Sequence, residues 1–161
     1  MVNAGQVLLR EHGVRLRTLE RIGRRLARCL RPGDMVFLYG PLGAGKTTLV
    51  RVIASALGVT DPVRSPSFTI ANIYGGPVLV QHLDLYRLDE IGDEDALALE
   101  EYMRADAVTL VEWPQAGIGR LGGPTWVVRI GHESPYARSV EIEGVAPDAE
   151  VRWQRSGDGN A

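Results

Sequence analysis

The sequence predicts an α/β protein of three layers, with helices on both faces of a mostly parallel central sheet that has antiparallel edge strands. Three observations predict this fold. A glycine-rich turn joins a short apolar run at residues 35–39 to a helical pattern at residues 48–57. Two more apolar runs, residues 78–84 and 107–112, each end on a carboxylate, as expected at the ligand-binding edge of an open α/β sheet. Further alternating segments pair by short turns, which favours antiparallel strands.

The glycine-rich turn carries the string G-x-x-x-x-G-K-[ST] at residues 40–47. Its glycines permit close approaches that a Cβ would block, so backbone amides can point at phosphate oxygens. The chain has 17 arginines and one lysine, and that lysine is Lys46 in this string. Because a strand and a helix flank it, we predict a P-loop NTPase fold rather than a chance turn, with Thr47 on Mg²⁺. The predicted nucleotide-binding residues of the loop are Gly40, Gly43, Ala44, Gly45, Lys46, Thr47 and Thr48.

The elements before and after the P-loop follow from local patterns. Residues 1–12 are typical of a loose strand or arm. Thr18 is the predicted N-cap of a helix that ends near Leu30. Its apolar stripe consists of Leu19, Ile22, Leu26 and Leu30. After the P-loop helix, residues 60–66 form a turn-rich loop.

The middle of the chain predicts a hairpin, a helix and a strand. Residues 68–74 alternate at period two, and a Gly-Gly turn leads to a second strand at residues 77–84. Residues 89–103 are acidic and helical, with a break near Gly92. A buried strand at residues 107–111 follows and ends at Glu112.

The end of the chain predicts two more strands and a tail. Residues 125–130 and 138–143 are expected to pair antiparallel. From residue 147 the chain is polar, with few apolar residues to anchor it. The expected organisation is a single P-loop ATPase domain at residues 1–146 and a flexible tail at residues 147–161.

Composition favours a cytoplasmic globular protein. Of 161 residues, 45% are hydrophobic and 24% are charged, and the lone Cys29 indicates a reducing compartment. We expect no membrane segment. The net charge of −2 hides a basic stretch at residues 10–31 and an acidic stretch at residues 84–112. A basic stretch can attract RNA and an acidic one a partner protein, but two solvated helix faces are the plainer interpretation.

Two strand-end acids complete a predicted catalytic site. Asp84 and Glu112 each close an apolar strand, at the edge from which the P-loop also leaves. If these strands are neighbours, Thr47, Asp84 and Glu112 converge on one Mg²⁺. Lys46, Asp84 and Glu112 are the predicted catalytic residues. An acid that merely caps a strand is the alternative.

Other polar residues near these acids have less specific roles. His82 shares a strand face with Asp84 and fits either an orienting or a structural role. The hydroxyls of residues 65–69 are placed to sense a γ-phosphate, or else belong to an ordinary Ser-Pro turn. Arg64 beside them fits a solvent-facing position.

The combined strings resemble those of one family. The P-loop, Ser-Pro-Ser-Phe-Thr at residues 65–69, His-Leu-Asp-Leu-Tyr-Arg-Leu at 82–88 and Val-Glu-Trp-Pro at 111–114 occur in this order. This combination resembles the TsaE (YjeE) family of small bacterial ATPases of tRNA threonylcarbamoyladenosine biosynthesis. The resemblance covers about residues 15–143, and its third Ser-Pro-Thr position is Ser67 here.

The resemblance implies ATP and Mg²⁺ as cofactors and a complex with the TsaB and TsaD proteins. That complex modifies N6 of adenosine 37 in tRNA, so tRNA is an indirect partner. By matching position, Thr47 and Glu112 would bind Mg²⁺, and Asp84 would be essential for hydrolysis. The resemblance also places Ser67, Trp113 and Arg138 at the nucleotide.

Two other functions remain compatible with the sequence. A small-molecule kinase would need an acceptor pocket and an arginine-bearing lid, and no compact lid segment is evident. A nucleotide-sensing binding module would hold ATP without useful hydrolysis. A GTPase is disfavoured, because the N/T-K-x-D motif that recognises guanine needs a lysine, and the one lysine of the chain, Lys46, belongs to the P-loop.

Overall fold

A computed structural model describes residues 5–66, 71–86, 99 and 104–157. Within this part of the chain, a seven-stranded sheet has the order β1-β7-β6-β2-β5-β4-β3. The strands are β1 Gln6–Val14, β2 Met35–Tyr39, β3 Ala71–Tyr74, β4 Leu79–Asp84, β5 Ala107–Glu112, β6 Trp126–Ser134 and β7 Ala137–Gly144.

The centre of the sheet is parallel and its edges are antiparallel. Strands β6, β2, β5 and β4 run parallel, whereas β3 pairs antiparallel with β4, β7 with β6, and β1 with β7. All six residues of β5 are buried, as expected for a strand covered on both faces. This topology confirms the predicted fold class, and it confirms the hairpin where residues 71–84 are described.

Helices cover the sheet on both sides. The helices are α1 Leu16–Cys29, α2 Lys46–Ala56, a 3₁₀ turn Pro114–Ala116, the short α3 Ile118–Leu121 and α4 Ala149–Gly157. One apolar cluster joins α1, α2 and α4 to one sheet face. A smaller cluster on Phe37 and Val111 includes Leu99 and Leu121. The two clusters make the three layers.

Helix α1 differs from its prediction at the start. It begins at Leu16 with the extended Arg15 as N-cap, and no side chain caps it, so the prediction of Thr18 as N-cap is wrong. The reason is that strand β1 continues to Val14, leaving the chain to turn directly into the helix. The segment predicted as a loose strand or arm is a strand, nine residues long and paired along β7. Tertiary pairing outweighs the local capping preference here.

The prediction of a flexible tail is also wrong for the described residues. Residues 149–157 form helix α4, which packs on α1. The anchor is Trp153, only 5% exposed, with the guanidinium of Arg25 stacked 3.9 Å from its ring centroid. Arg152 of the same helix pairs with the buried Asp34 at 2.7 Å, so aromatic packing and an ion pair together hold this polar helix. The domain therefore extends through residue 157.

Some predictions fall outside the described residues. These are the start of the hairpin at residues 68–70, Ser67, the strings at 87–88, and the acidic helix at 89–103 except for the buried Leu99. Among the helices that the structure describes, none is long and apolar enough to cross a membrane.

Candidate active site

The P-loop leaves the carboxyl end of β2 and turns into α2. Gly45 is the N-cap of α2 in the left-handed region, with φ 111° and ψ 13°, which an L side chain rarely adopts. At Gly40, an added Cβ would lie 2.5 Å from the carbonyl oxygen of Ile130. The loop curves around a cleft of about 280 Å³. The cleft is lined by residues 42–48 together with Ser65, Asp84, Glu112 and Trp113.

Lys46 lies at this cleft with most of its side chain enclosed. It is 5% exposed, and its ammonium donates a hydrogen bond to the carbonyl oxygen of Gly40. The same ammonium lies 3.5 Å from the ring centroid of Trp113, a cation–π contact. Burial lowers the pKa of Lys46, while the carboxylates of Glu112 and Asp84 oppose that shift. The ammonium thus contacts two neutral groups and lies beside two acids.

A chain of hydrogen bonds connects the P-loop to two strands. The Thr47 hydroxyl contacts both carboxylate oxygens of Glu112, at 3.0 and 3.2 Å. On its other side, Glu112 Oε2 lies 2.6 Å from Nε2 of His82. Glu112 is 2% exposed and His82 is fully buried, so solvent does not compete for this contact. Within the described part of the chain, His82 Nδ1 has no hydrogen-bond partner.

Asp84 reaches the same cleft from the neighbouring strand. It pairs in register with Glu112 across β4 and β5, which confirms that the two acid-bearing strands are neighbours. Its Oδ1 accepts a hydrogen bond of 3.1 Å from the amide of Tyr86. Burial raises the pKa of Asp84; the Tyr86 amide opposes the rise, and the Glu112 carboxylate adds to it. The structure brings Lys46, Asp84 and Glu112 together as predicted, whereas their chemical roles remain predictions.

The donor set is chemically suited to Mg²⁺. The Thr47 hydroxyl and the Glu112 carboxylate are hard oxygen donors already in contact, at the floor of the cleft. In the described ranges, no three His, Cys, Asp or Glu side chains gather into a metal-binding group. Mg²⁺ takes one or two protein oxygens and completes its shell with phosphate and water, so the Thr47 and Glu112 oxygens fit its needs.

Ser65 and Trp113 extend the site at its rim. The Ser65 hydroxyl lies 3.3 Å from that of Thr47, so the Ser-Pro loop does reach the P-loop. Trp113 has φ 56° and ψ 49°, the one positive φ at a non-glycine residue in the described ranges. Its ring also packs against Tyr86, with centroids 4.9 Å apart. A non-glycine residue held in the left-handed region beside a buried lysine is the kind of backbone strain that clusters at ligand sites.

Arg138 lies behind the P-loop. Its guanidinium donates to the carbonyl oxygens of Ala44 at 2.9 Å and Gly43 at 3.4 Å. It does not appear among the described residues that line the cleft. The structure gives Arg138 a role in holding the loop, and its contact with a nucleotide stays a prediction.

The main feature that sequence reasoning missed is the bond between His82 and Glu112. The sequence places His82 on the same face as Asp84, which suggested Asp84 as its partner. The sequence did contain a signal for this contact. If β4 and β5 are neighbours, His82 and Glu112 lie on the same face of the sheet, one on each strand. The register of two strands decides between these partners.

Most of the chain matches one known protein family. The model of the family "Threonylcarbamoyl adenosine biosynthesis protein TsaE" matches residues 15–140. The chain belongs to the TsaE family. This finding confirms the resemblance seen in the strings and links the chain to tRNA threonylcarbamoyladenosine biosynthesis.

Individual TsaE proteins support the assignment. The tRNA threonylcarbamoyladenosine biosynthesis protein TsaE of Streptomyces coelicolor is 40% identical over 147 residues, covering 84% of this chain and 93% of that protein. TsaE of Bacillus subtilis is 43% identical over 93 residues, covering 57% of this chain and 58% of that protein. The crystal structure of Bacillus subtilis YdiB matches at a TM-score of 0.80 and 28% identity, over 99% of both chains.

Proposed function

We propose that this TsaE-family chain is the ATPase subunit of the tRNA N6-threonylcarbamoyladenosine machinery, hydrolysing ATP with Mg²⁺ in a cytoplasmic complex with TsaB and TsaD. The observation that carries the proposal is the contact of Thr47 with Glu112 beside Lys46. It joins a phosphate-binding loop to a strand-end carboxylate, the combination required for hydrolysis rather than binding alone.

The P-loop, Lys46 and the two carboxylates of the cleft have different proposed roles in this reaction. The P-loop amides and Lys46 would hold the phosphates, and Thr47 and Glu112 would hold Mg²⁺. The metal would neutralise charge that develops on the phosphate oxygens. In hydrolysis, the oxygen of a water molecule bonds to the γ-phosphorus, and the bond between that phosphorus and the β–γ bridging oxygen breaks. The products are ADP and inorganic phosphate. Asp84, facing the same cleft, is the carboxylate available to orient that water.

The contacts within the cleft favour slow hydrolysis by the isolated chain. Lys46 is engaged with the Gly40 carbonyl and the Trp113 ring, and Thr47 is engaged with Glu112. A nucleotide and its metal must replace these contacts before the reaction begins. A partner protein that binds the rim at Trp113 would favour this exchange, and TsaB and TsaD are the partners proposed for this step.

The test is an ATPase assay of wild type, Asp84→Ala and Glu112→Ala, each with and without TsaB and TsaD. We expect slow turnover alone, faster turnover with both partners, and a loss of about 100-fold or more in either variant. Asp106→Ala and Glu150→Ala are matched controls, since both carboxylates are exposed and distant from the cleft. Equal turnover with and without the partners would count against the complex. Wild-type turnover in Glu112→Ala would count against the site.

A further inference from the structure

A second concave surface lies between α1, β1 and α4, away from the cleft. This groove has a volume of about 490 Å³. Five guanidinium groups and one carboxylate line it, in a chain whose net charge is −2. We call it the arginine groove, and its charged residues are Arg17, Arg21, Arg24, Arg25, Arg28 and Glu11. A groove with this much positive charge, on a protein whose net charge is negative, attracts anions, so we expect its ligand to be anionic.

Two of the arginines are held in place by α4. Arg25 stacks over Trp153 and donates to the Trp153 carbonyl at 2.9 Å and the Ser156 hydroxyl at 3.1 Å. Arg28 donates twice to the Ser156 carbonyl, at 3.2 and 3.0 Å. In the part of the chain described, Nη1 of neither guanidinium makes a hydrogen bond. Each fork is therefore fixed while keeping free N–H donors for a ligand.

The other three arginines are exposed and weakly paired. Arg21 has only the long contact of 3.6 Å with Glu11, and Arg17 and Arg24 have no partner among the described residues. Arg17, Arg21, Arg24 and Arg28 are three or four positions apart, so they follow one face of α1. Like charges at this spacing destabilise a helix. A bound polyanion would relieve that repulsion.

We propose that the arginine groove binds the phosphate backbone of tRNA directly. The row from Arg17 to Arg28 extends about 16 Å along the helix, enough for several phosphates of one strand rather than a single anion. Guanidinium forks match phosphate oxygens in two-bond pairs. The relatives are named for tRNA modification, so tRNA is the polyanion that this family meets. The proposal depends on family membership and not on ATP hydrolysis.

The groove also lies one helix away from the nucleotide cleft. Helix α1 packs against α2, whose first residue is Lys46. At the contact, Gly23 of α1 faces Leu49 and Val52 of α2 so closely that a Cβ there would lie 2.7 Å from Val52. The helix that carries the arginines thus packs directly on the helix that begins with Lys46, and among the described residues the groove and the cleft share no lining residue.

The experiment measures binding of a fluorescently labelled tRNA transcript by anisotropy, without nucleotide, from 50 to 200 mM salt. The groove variant is R17Q/R21Q/R24Q, and the control variant R51Q/R104Q/R120Q removes equal charge at exposed positions outside both sites. Counterion release predicts that wild-type affinity falls about 100-fold over this range, against about 10-fold for the groove variant. The control variant should match wild type.

Four further results bear on the proposal. Thermal unfolding of both variants at the wild-type temperature shows that lost binding is not lost folding. Absence of wild-type binding at 50 mM salt, or equal losses in the two triple variants, would overturn the proposal. Competition by polyglutamate as strong as that by unlabelled tRNA would also overturn it, in favour of an acidic protein partner. ATPase activity is measured separately, so failure here leaves the proposed function standing.

Discussion

The cleft at the P-loop and the arginine groove use positive charge in opposite ways. The cleft has one ammonium, 5% exposed, whose contacts come from the P-loop and from Trp113. The groove has five guanidinium groups, three of them exposed with at most one weak partner. A buried charge depends on every contact around it, because removing one leaves an uncompensated group. Exposed charges are screened and act additively, so each contributes a small part.

The largest difference between the two regions is expected when lysine and arginine are exchanged in each of them, as Lys46→Arg in the cleft and Arg24→Lys in the groove. In Lys46→Arg the bulkier planar guanidinium cannot occupy the space between the Gly40 carbonyl and the Trp113 ring. We expect ATP hydrolysis with partners to fall about 100-fold or more, and Lys46→Ala to abolish ATP binding, with little change in unfolding temperature. The matched change in the groove, Arg24→Lys, keeps its charge and loses one of several two-bond phosphate pairs, so tRNA affinity should fall by no more than about tenfold. Normal ATP hydrolysis by Lys46→Arg would remove the distinction between the two regions.

His82→Ala tests whether the buried bond to Glu112 positions the metal ligand. The loss leaves a buried carboxylate oxygen without its partner, which costs about 1–3 kcal/mol and lowers the unfolding temperature by several degrees. A positioning role further predicts that the Mg²⁺ concentration for half-maximal ATPase activity rises about tenfold.

Gln81→Leu is the matched control on the same strand. Gln81 is fully buried and points to the opposite face, so its replacement should change stability without changing the Mg²⁺ requirement. If both variants left the Mg²⁺ requirement unchanged, His82 would be a structural residue only.

Within the groove, Arg25 and Arg24 should differ in their effects on stability. Arg25→Gln removes the stacking on Trp153 and two hydrogen bonds to α4, and we expect a loss of about 1–2 kcal/mol in the free energy of unfolding. Arg24→Gln removes an exposed charge and should stay within about 0.5 kcal/mol of wild type. Urea denaturation measures both. Equal losses would mean that α4 does not depend on the Arg25 contact.

Tryptophan emission offers the smallest but most direct comparison of the two regions. Trp113 contacts Lys46 in the cleft, whereas Trp153 lies beneath Arg25 in the groove. Adding ATP should change the emission through Trp113, and Trp113→Phe should remove that change. Adding tRNA should leave the Trp113 contribution unaltered. An ATP response that persisted in Trp113→Phe would place the nucleotide elsewhere.

The sequence predicted the regular core well and the chain ends poorly. The strands at β2, β5 and β6 follow from apolar runs that only a buried sheet can accommodate. The prediction of a flexible tail failed because Trp153 packs into the core and Arg152 pairs with the distant Asp34, and a count of apolar residues along the tail reveals neither contact. The prediction of Thr18 as N-cap failed because β1 pairs with β7 up to Val14.

By itself, the sequence determined the phosphate-binding loop and its lysine. Residues 40–47 are contiguous, and their glycines and Lys46 specify one local conformation and predict one ligand chemistry, that of phosphate. Only the tertiary structure decided that Thr47 meets Glu112, 65 positions away, and that Glu112 takes His82 as its second partner. It likewise decided that Arg25 meets Trp153 across 128 positions. Those contacts depend on strand order, register and helix packing, which are properties of the assembled chain and not of any segment.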